Sequence, residues 1–299
     1  MPAIRVRGLR KSYGSIEAVR GVDFDVAEGE IFGFLGPNGA GKTTIVEILE
    51  GYRERSAGEV EVLGHDPARG ERRLRERIGI VLQETGVQRF LRVGEVLELY
   101  CGYYPKPRRV DELLALVGLE EKRGEVVKQL SGGQRRRLDL ALGLAGDPEL
   151  VFLDEPTTGF DPSARREAWE IVRNLRALGK TVFLTTHYMD EAQNLADRVA
   201  VIAAGRIVAE GPPDRLSGRD DATEIRFTPT PAATLPDLGP ATVTDMGRGI
   251  VVRTADATAT LHVLTGWALE RGVTLAGLTV ARPTLEDVYL ELTAQPTDE

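Results

Sequence analysis

Unbroken apolar runs rich in Val, Ile, Leu and Phe recur at residues 30–35, 78–82, 150–153 and 181–185. Runs this short and continuous predict strands buried on both faces, as in a parallel sheet. A polar feature follows each one: a glycine-rich stretch at 36–43, then Gln83, then the pair Asp154-Glu155, then His187. Open α/β sheets bind ligands beyond the carboxyl ends of their strands, so these four features are expected at one edge. Between the strands, helical spacing of apolar residues predicts helices over 42–50, 92–104, 110–117, 134–144, 164–178 and 190–196. Residues 4–25 instead alternate apolar and polar, which predicts an antiparallel β layer with one wet face beside the main sheet.

The stretch 211–222 (GPPDRLSGRDDA) concentrates proline, glycine and charge and cannot sustain a core element. A boundary is expected there, with a first domain at 1–215 and a second at 216–299. In the second, strands at 224–227, 241–244, 250–253 and 273–281 and a helix at 258–271 predict a small α+β fold. The final element predicted is a helix opened by a capping box from Thr284 to Asp287, with Leu285, Val288, Tyr289 and Leu292 on its apolar face.

Composition narrows the function classes. The chain of 299 residues carries a formal net charge of -8, which argues against nucleic acid as a general partner, since phosphate neutralisation calls for a basic excess. Cys101 is the single cysteine, so neither an internal disulfide nor a cysteine-based zinc site is expected, in keeping with a reducing cytosol. No uncharged apolar run approaches the roughly 18 residues of a membrane span, and Arg5, Arg7, Arg10 and Lys11 interrupt any signal-peptide pattern at the start. His65 and His262 fall in no recognisable pattern and read as structural.

Three stretches carry chemistry. Gly36-Pro37-Asn38-Gly39-Ala40-Gly41-Lys42-Thr43 fits G-x-x-x-x-G-K-[ST], a loop whose bare amides wrap phosphates while the lysine reaches the outer phosphates and the hydroxyl takes magnesium. It follows a predicted strand and opens a predicted helix, whose N-terminus adds partial positive charge. Asp154 and Glu155 place adjacent carboxylates at the end of an apolar strand, an arrangement that favours a nearby cation or polarised water. Asp154 would then serve the Thr43-bound magnesium, and Glu155 would orient or deprotonate an attacking water. Taken alone, Asp154-Glu155-Pro156 reads equally well as a turn cap. Ser131 and Gln134 form a capping box whose two intervening glycines, Gly132 and Gly133, leave helix-start amides open to an anion; alone, this is only a helix start.

The order of Leu130-Ser131-Gly132-Gly133-Gln134 and the strand ending in Asp154-Glu155 gives the chain a specific likeness. Over roughly residues 3–215 it resembles the ATP-binding subunits of ABC transporters. In that likeness 130–134 is similar to the signature motif, 36–43 to the Walker A loop, 150–155 to the Walker B strand, and Thr158-Gly159-Phe160-Asp161 to the D-loop, with Phe160 standing where the family generally has leucine. The resemblance implies a P-loop cassette with a mainly parallel core sheet, an antiparallel β layer and a helical subdomain at about 84–145. It implies ATP and Mg2+ as cofactors, held by residues 36–43 and Thr44, with Thr43, Gln83 and Asp154 at the metal. Catalysis would use Glu155, His187, Gln83 and Lys42. Gln83 would sense magnesium and the γ-phosphate, and His187 would contact that phosphate. Asp161 would join the site, and Tyr13 would stack on adenine, with ordinary strand packing as the other reading of that ring.

Two such subunits close head to tail on ATP, with the signature motif of one completing the site of the other, and hydrolysis reopens them. The resemblance therefore implies a dimer of this chain, a heterodimer staying open, docked on a separate membrane permease at the cytoplasmic face. The permease would meet 84–104, where Tyr100, Tyr103 and Tyr104 read as internal packing rather than contact. The terminal stretch from Arg282 onward is similar to the tail of drug-export ATPases of the daunorubicin-resistance type. That implies export of a small amphipathic compound such as a drug or antibiotic; the tail's individual residues read as a folded appendage with no substrate role, and a regulatory or dimer-stabilising role for the whole second domain is a separate hypothesis. An importer ATPase would share the cassette. A soluble ABC protein acting on ribosomes or DNA generally shows two cassettes or long coiled coils, and neither is visible here.

Overall fold

A computed structural model describes residues 2–81, 86–217, 223–230, 233–245, 247 and 249–281. The chain divides into two units, Met1–Pro212 and Pro213–Glu299, and the division falls inside the proline-rich stretch. Gln83 and the terminal helix expected from Thr284 lie outside the described residues.

In the first unit, β1 (Pro2–Tyr13) and β2 (Ile16–Ala27) pair antiparallel, as their alternation predicts. The next strand, β3 (Ile31–Leu35), enters the main sheet, and β4 (Ala57–Val62) returns to the free edge of β1. The main sheet also contains β5 (Ile78–Val81), β6 (Leu150–Asp154), β7 (Thr181–Thr186), β8 (Arg198–Ala203) and β9 (Arg206–Gly211), in the order β5-β6-β7-β3-β8-β9. All pair in parallel except β9, which folds back on β8 through Ala204 and Gly205, both at positive φ, the backbone signature of a tight hairpin.

Register brings the predicted features together. Leu35 pairs with Thr186 and Asp154 with Thr185, so the carboxyl ends of β3, β6 and β7 finish at one level. Side chains along each strand then divide between two cores, because successive residues point to opposite faces. Phe32, Phe34 and Phe183 face the antiparallel layer and meet Phe24, and Phe152 joins through Phe183, in an aromatic cluster with centroids 5.6 to 6.1 Å apart. Full burial of each ring contributes roughly 2 kcal/mol of transfer free energy. Ile31, Val151, Leu153, Val182 and Leu184 face the opposite core, beneath the helices.

Helix α1 (Lys42–Leu49) follows β3, and the short α2 (Arg72–Arg75) precedes β5. A helical subdomain is built from α3 (Val93–Cys101), α4 (Val110–Val117) and α5 (Gly132–Gly143), packed through Leu97, Leu113, Leu114 and Leu138. The first of these stops short of the predicted 92–104, and Tyr103 and Tyr104 lie in the turn beyond it. Then come α6 (Pro162–Ala177) and α7 (Met189–Leu195). Asp161 starts α6 two residues earlier than the apolar pattern predicts, because its Oδ1 accepts from the amides of Ser163 and Ala164 while Pro162 presets the first turn.

The second unit opens with α8 (Pro213–Ser217) and forms an antiparallel sheet of β10 (Thr223–Thr230), β11 (Thr242–Asp245), β12 (Ile250–Thr254) and β13 (Thr274–Ala281). Their order is β11-β12-β10-β13. The helix α9 (Ala257–Arg271) runs between β12 and β13, and Leu264 on it meets Ile225, Phe227 and Val252 in a small core. Among the described residues, no helix is long and apolar enough to cross a membrane.

Candidate nucleotide site

The loop after β3 needs bare backbone at two points. A Cβ on Gly36 would lie 2.4 Å from the carbonyl oxygen of Ile202, and Gly41 has φ +106 with its Cβ position 2.7 Å from that of Ala18. Only glycine fits either place. Residues 37–40 curl over the start of α1: the Ala40 amide donates to the Pro37 carbonyl, and the Gly205 amide of the β8–β9 turn donates to the Ala40 carbonyl at 3.1 Å. The Lys42 side chain folds back into this loop and donates from Nζ to the carbonyls of Gly36 at 2.6 Å and Pro37 at 3.1 Å. Burial pulls its pKa down, while the charges of Glu155 and Asp154 oppose that pull. A phosphate entering the loop would offer this ammonium a charged acceptor in place of two neutral ones.

A second turn, after β6, carries the carboxylates. Glu155 holds φ +45, and its amide donates to both the carbonyl and the hydroxyl of Thr185. Thr185 in turn donates from Oγ1 to Asp154 Oδ1. One Glu155 oxygen accepts from Thr158 Oγ1 at 3.1 Å, and the other lies 3.1 Å from Nδ1 of His187, within ion-pair range but without hydrogen-bond alignment. The sheet edge thus brings Lys42, Asp154, Glu155 and His187 into one electrostatic neighbourhood. Among the described residues there is no cluster of three or more His, Cys, Asp or Glu side chains suited to a metal. A hydroxyl from Thr43 and a carboxylate from Asp154 instead suit a hard cation that takes its remaining oxygens from phosphate and water, as magnesium does.

The third piece sits apart. Ser131 caps α5 reciprocally: its Oγ accepts from the Gln134 amide at 3.2 Å, and its own amide donates to Gln134 Oε1 at 3.0 Å. A Cβ on Gly132 would meet nothing within 4 Å, so the helix start is open. It borders a groove of about 430 Å³ lined also by Arg135, Glu155, Phe160 and Asp161, and residues 36–43 do not line it. The start of the signature stretch and Glu155 thus share a groove in which the phosphate loop takes no part.

Residues 19–158 match the family model for the ABC transporter, and residues 223–284 match that for the C-terminal domain of ABC transporter domain-containing proteins. A daunorubicin resistance ATP-binding protein of Streptomyces coeruleorubidus is 41% identical over 97% of this chain and 96% of its own. The chain belongs to the ABC transporter family of ATP-binding subunits. A Nod factor export ATP-binding protein of a Rhizobium species is 38% identical over 99% of both chains. Among solved structures, a dimeric post-hydrolysis state of an ATP-binding cassette with ADP and phosphate superposes with a TM-score of 0.62 at 26% identity, covering 70% of this chain and 98% of that one.

Other residues of this ABC cassette fall as follows. Tyr13 is 40% exposed at the end of β1, with Lys11 and Arg53 within 5.1 and 5.3 Å of its ring, so strand burial does not claim it. Asp161 is engaged as the α6 cap. Tyr100 and Tyr104 pack on the helical core as expected, but Tyr103 is 68% exposed and departs from that expectation. Three polar residues escape motif reasoning. Arg136 grips the turn after β6 through backbone carbonyls. Glu191 on α7 is fully buried and accepts from Thr157 Oγ1 at 2.8 Å and Trp169 Nε1 at 3.3 Å, tying that turn to the helix after His187. Burial raises its pKa, opposed by hydrogen bonds from Thr186, Thr157 and Trp169. Glu50, just past α1, is pushed up to about 8 by burial and by the charges of Asp154 and Glu47.

Proposed function

We propose that this chain hydrolyses ATP in a head-to-tail dimer and thereby drives export of a small amphipathic compound through a separate membrane permease. One observation carries the dimer: the signature stretch borders a groove that its own phosphate loop does not line. A second copy, turned about a two-fold axis, supplies the missing half to each loop. A cassette solved as a dimer with ADP and phosphate, among the structural relatives, supports a dimer.

Within each site, the 36–43 amides, Lys42 and Thr44 hold the phosphates, and Tyr13 stacks on the base. Thr43, Gln83 and Asp154 hold Mg2+, which, when bound, neutralises charge building on the phosphates. Glu155 orients or deprotonates the attacking water, and His187 contacts the γ-phosphate. Ser131, Gly132, Gly133 and Gln134 of the opposite copy close the site, and Asp161 lies at the junction. Occupied ATP holds the copies together and hydrolysis releases them. End-to-end similarity to an ATP-binding protein of drug resistance and to one of Nod factor export, covering the second unit as well as the first, supports export at the cytoplasmic face of a membrane. We assign the second unit an accessory role in regulation or dimer stability.

Inside-out vesicles containing the chain and its permease test this reading. ATP-dependent accumulation of daunorubicin or a related amphipathic compound is expected, and its loss with E155Q. ATP-dependent depletion from the vesicles, or unchanged transport in E155Q, would overturn it.

A further inference from the structure

Arg136 lies two residues past the signature stretch, on α5, and its guanidinium reaches the turn that carries Glu155. Nη2 donates to the carbonyls of Asp154 at 3.0 Å and Glu155 at 3.4 Å, and Nε donates to that of Pro156 at 3.2 Å. Three successive carbonyls thus converge on one planar fork, a match that the single ammonium of lysine cannot reproduce. They belong to the segment in which Glu155 adopts a positive φ that non-glycine residues seldom hold. Burial works against the charge of Arg136, and Asp139, Asp154 and Glu191 offset that cost.

The fork joins two parts that serve different nucleotides. The start of α5 borders the groove where the proposed dimer would bring the partner's ATP, while Arg136 on the same helix holds the turn that carries Glu155 in its own chain. We propose that Arg136 couples the two ATP sites of the dimer, carrying engagement of its chain's signature stretch by the partner's nucleotide to the position of its own Glu155. This rests on the head-to-tail dimer proposed above. Arg136 touches backbone carbonyls and is a positioning residue. The turn keeps other anchors without it, since Thr185 takes the Glu155 amide and Glu191 takes the Thr157 hydroxyl. A variant at Arg136 is therefore expected to fold and bind nucleotide.

The test uses the full chain. E155Q is first assayed for ATP-dependent dimerisation by light scattering; then steady-state turnover is titrated with ATP in wild type, R136K, R136M and R137M. The wild type is expected to titrate with a Hill coefficient above 1, as coupled sites require. R136M should titrate with a coefficient of about 1 and a kcat lowered about 10-fold, since small misplacement of a catalytic group is costly. Its affinity for a fluorescent ATP analogue should stay within about two-fold of wild type, because the phosphate loop is untouched. R136K should fall between the two. R137M, also on α5, removes bonds to the Val117 and Gly118 carbonyls at the end of α4 and should keep the wild-type coefficient. Wild-type cooperativity in R136M overturns the coupling, as does its equal loss in R137M, or a wild type that dimerises but titrates without cooperativity. An E155Q chain that does not dimerise with ATP overturns the dimer reading itself, before any Arg136 variant is made.

Discussion

The phosphate loop and the turn after β6 lie at the ends of parallel strands on either side of β7, yet they are held in opposite ways. The loop is held through main chain, by glycines at 36 and 41 that let the Ile202 and Ala18 carbonyls approach, by the Gly205 amide on the Ala40 carbonyl, and by a lysine that folds back on the loop's own carbonyls. The turn is shaped from outside, by Thr185 from β7, Arg136 from α5 and Glu191 from α7. A binding surface of backbone amides needs bare backbone packed closely on neighbouring main chain. A carboxylate that must aim at water needs partners on several elements, and those partners give other parts of the molecule a grip on it.

Substitutions should separate the two. E155Q is expected to lower phosphate release about 100-fold or more while leaving nucleotide binding intact, since it removes a general base and keeps the shape. Near-normal turnover in that variant would remove Glu155 from its role. K42A should do the reverse, weakening a fluorescent ATP analogue by roughly 10- to 100-fold through loss of a charge-assisted bond. G36A forces a Cβ against the Ile202 carbonyl and should cost about 1–3 kcal/mol in chemical denaturation. A stability equal to wild type would show that the loop is less tightly built than its contacts indicate.

Glu50 connects the two regions, because it ends the loop's helix and feels the charge of Asp154. Its folded pKa, pushed up to about 8, lies above the ordinary carboxyl value of 4.5, so the folded state holds the extra proton between those values. Stability from this group is complete below pH 4.5 and is lost as pH rises through about 8. E50Q should remove that slope and stabilise the chain at pH 8.5 by about 1 kcal/mol or more relative to wild type. Parallel pH dependence in the two proteins would contradict the assignment. T158V, losing one neutral-to-charged hydrogen bond at Glu155, should slow turnover only about 3-fold.

The same contrast governs what can be read from the chain alone. The loop is legible because its pattern is contiguous, and the clustering of Asp154, Glu155 and His187 is legible because parallel strands finish at one level. Strand β8 carries an apolar run like its neighbours, but no chemical motif follows it, and its place beside β3 depends on sheet order. Strand β4 is recognisable only once β1 offers it an edge. In the run Arg135-Arg136-Arg137, no periodicity distinguishes the arginine that reaches three carbonyls from its neighbours. Glu191 reads as an acid favoured in the first turn of a helix, whereas it is a buried tie between two segments.

The split site is tested most directly by mixing two inactive chains. K42A has a disabled loop and an intact signature stretch, and S131R has the reverse. In a head-to-tail pair of one each, one site inherits both defects and the other neither. Random pairing makes half the dimers mixed and leaves one intact site in each, so turnover should rise above background toward a ceiling of about a quarter of the wild-type rate, held below it by the coupling proposed for Arg136, because the Glu155 of the intact site belongs to the S131R chain. A mixture no more active than either variant alone would contradict the account.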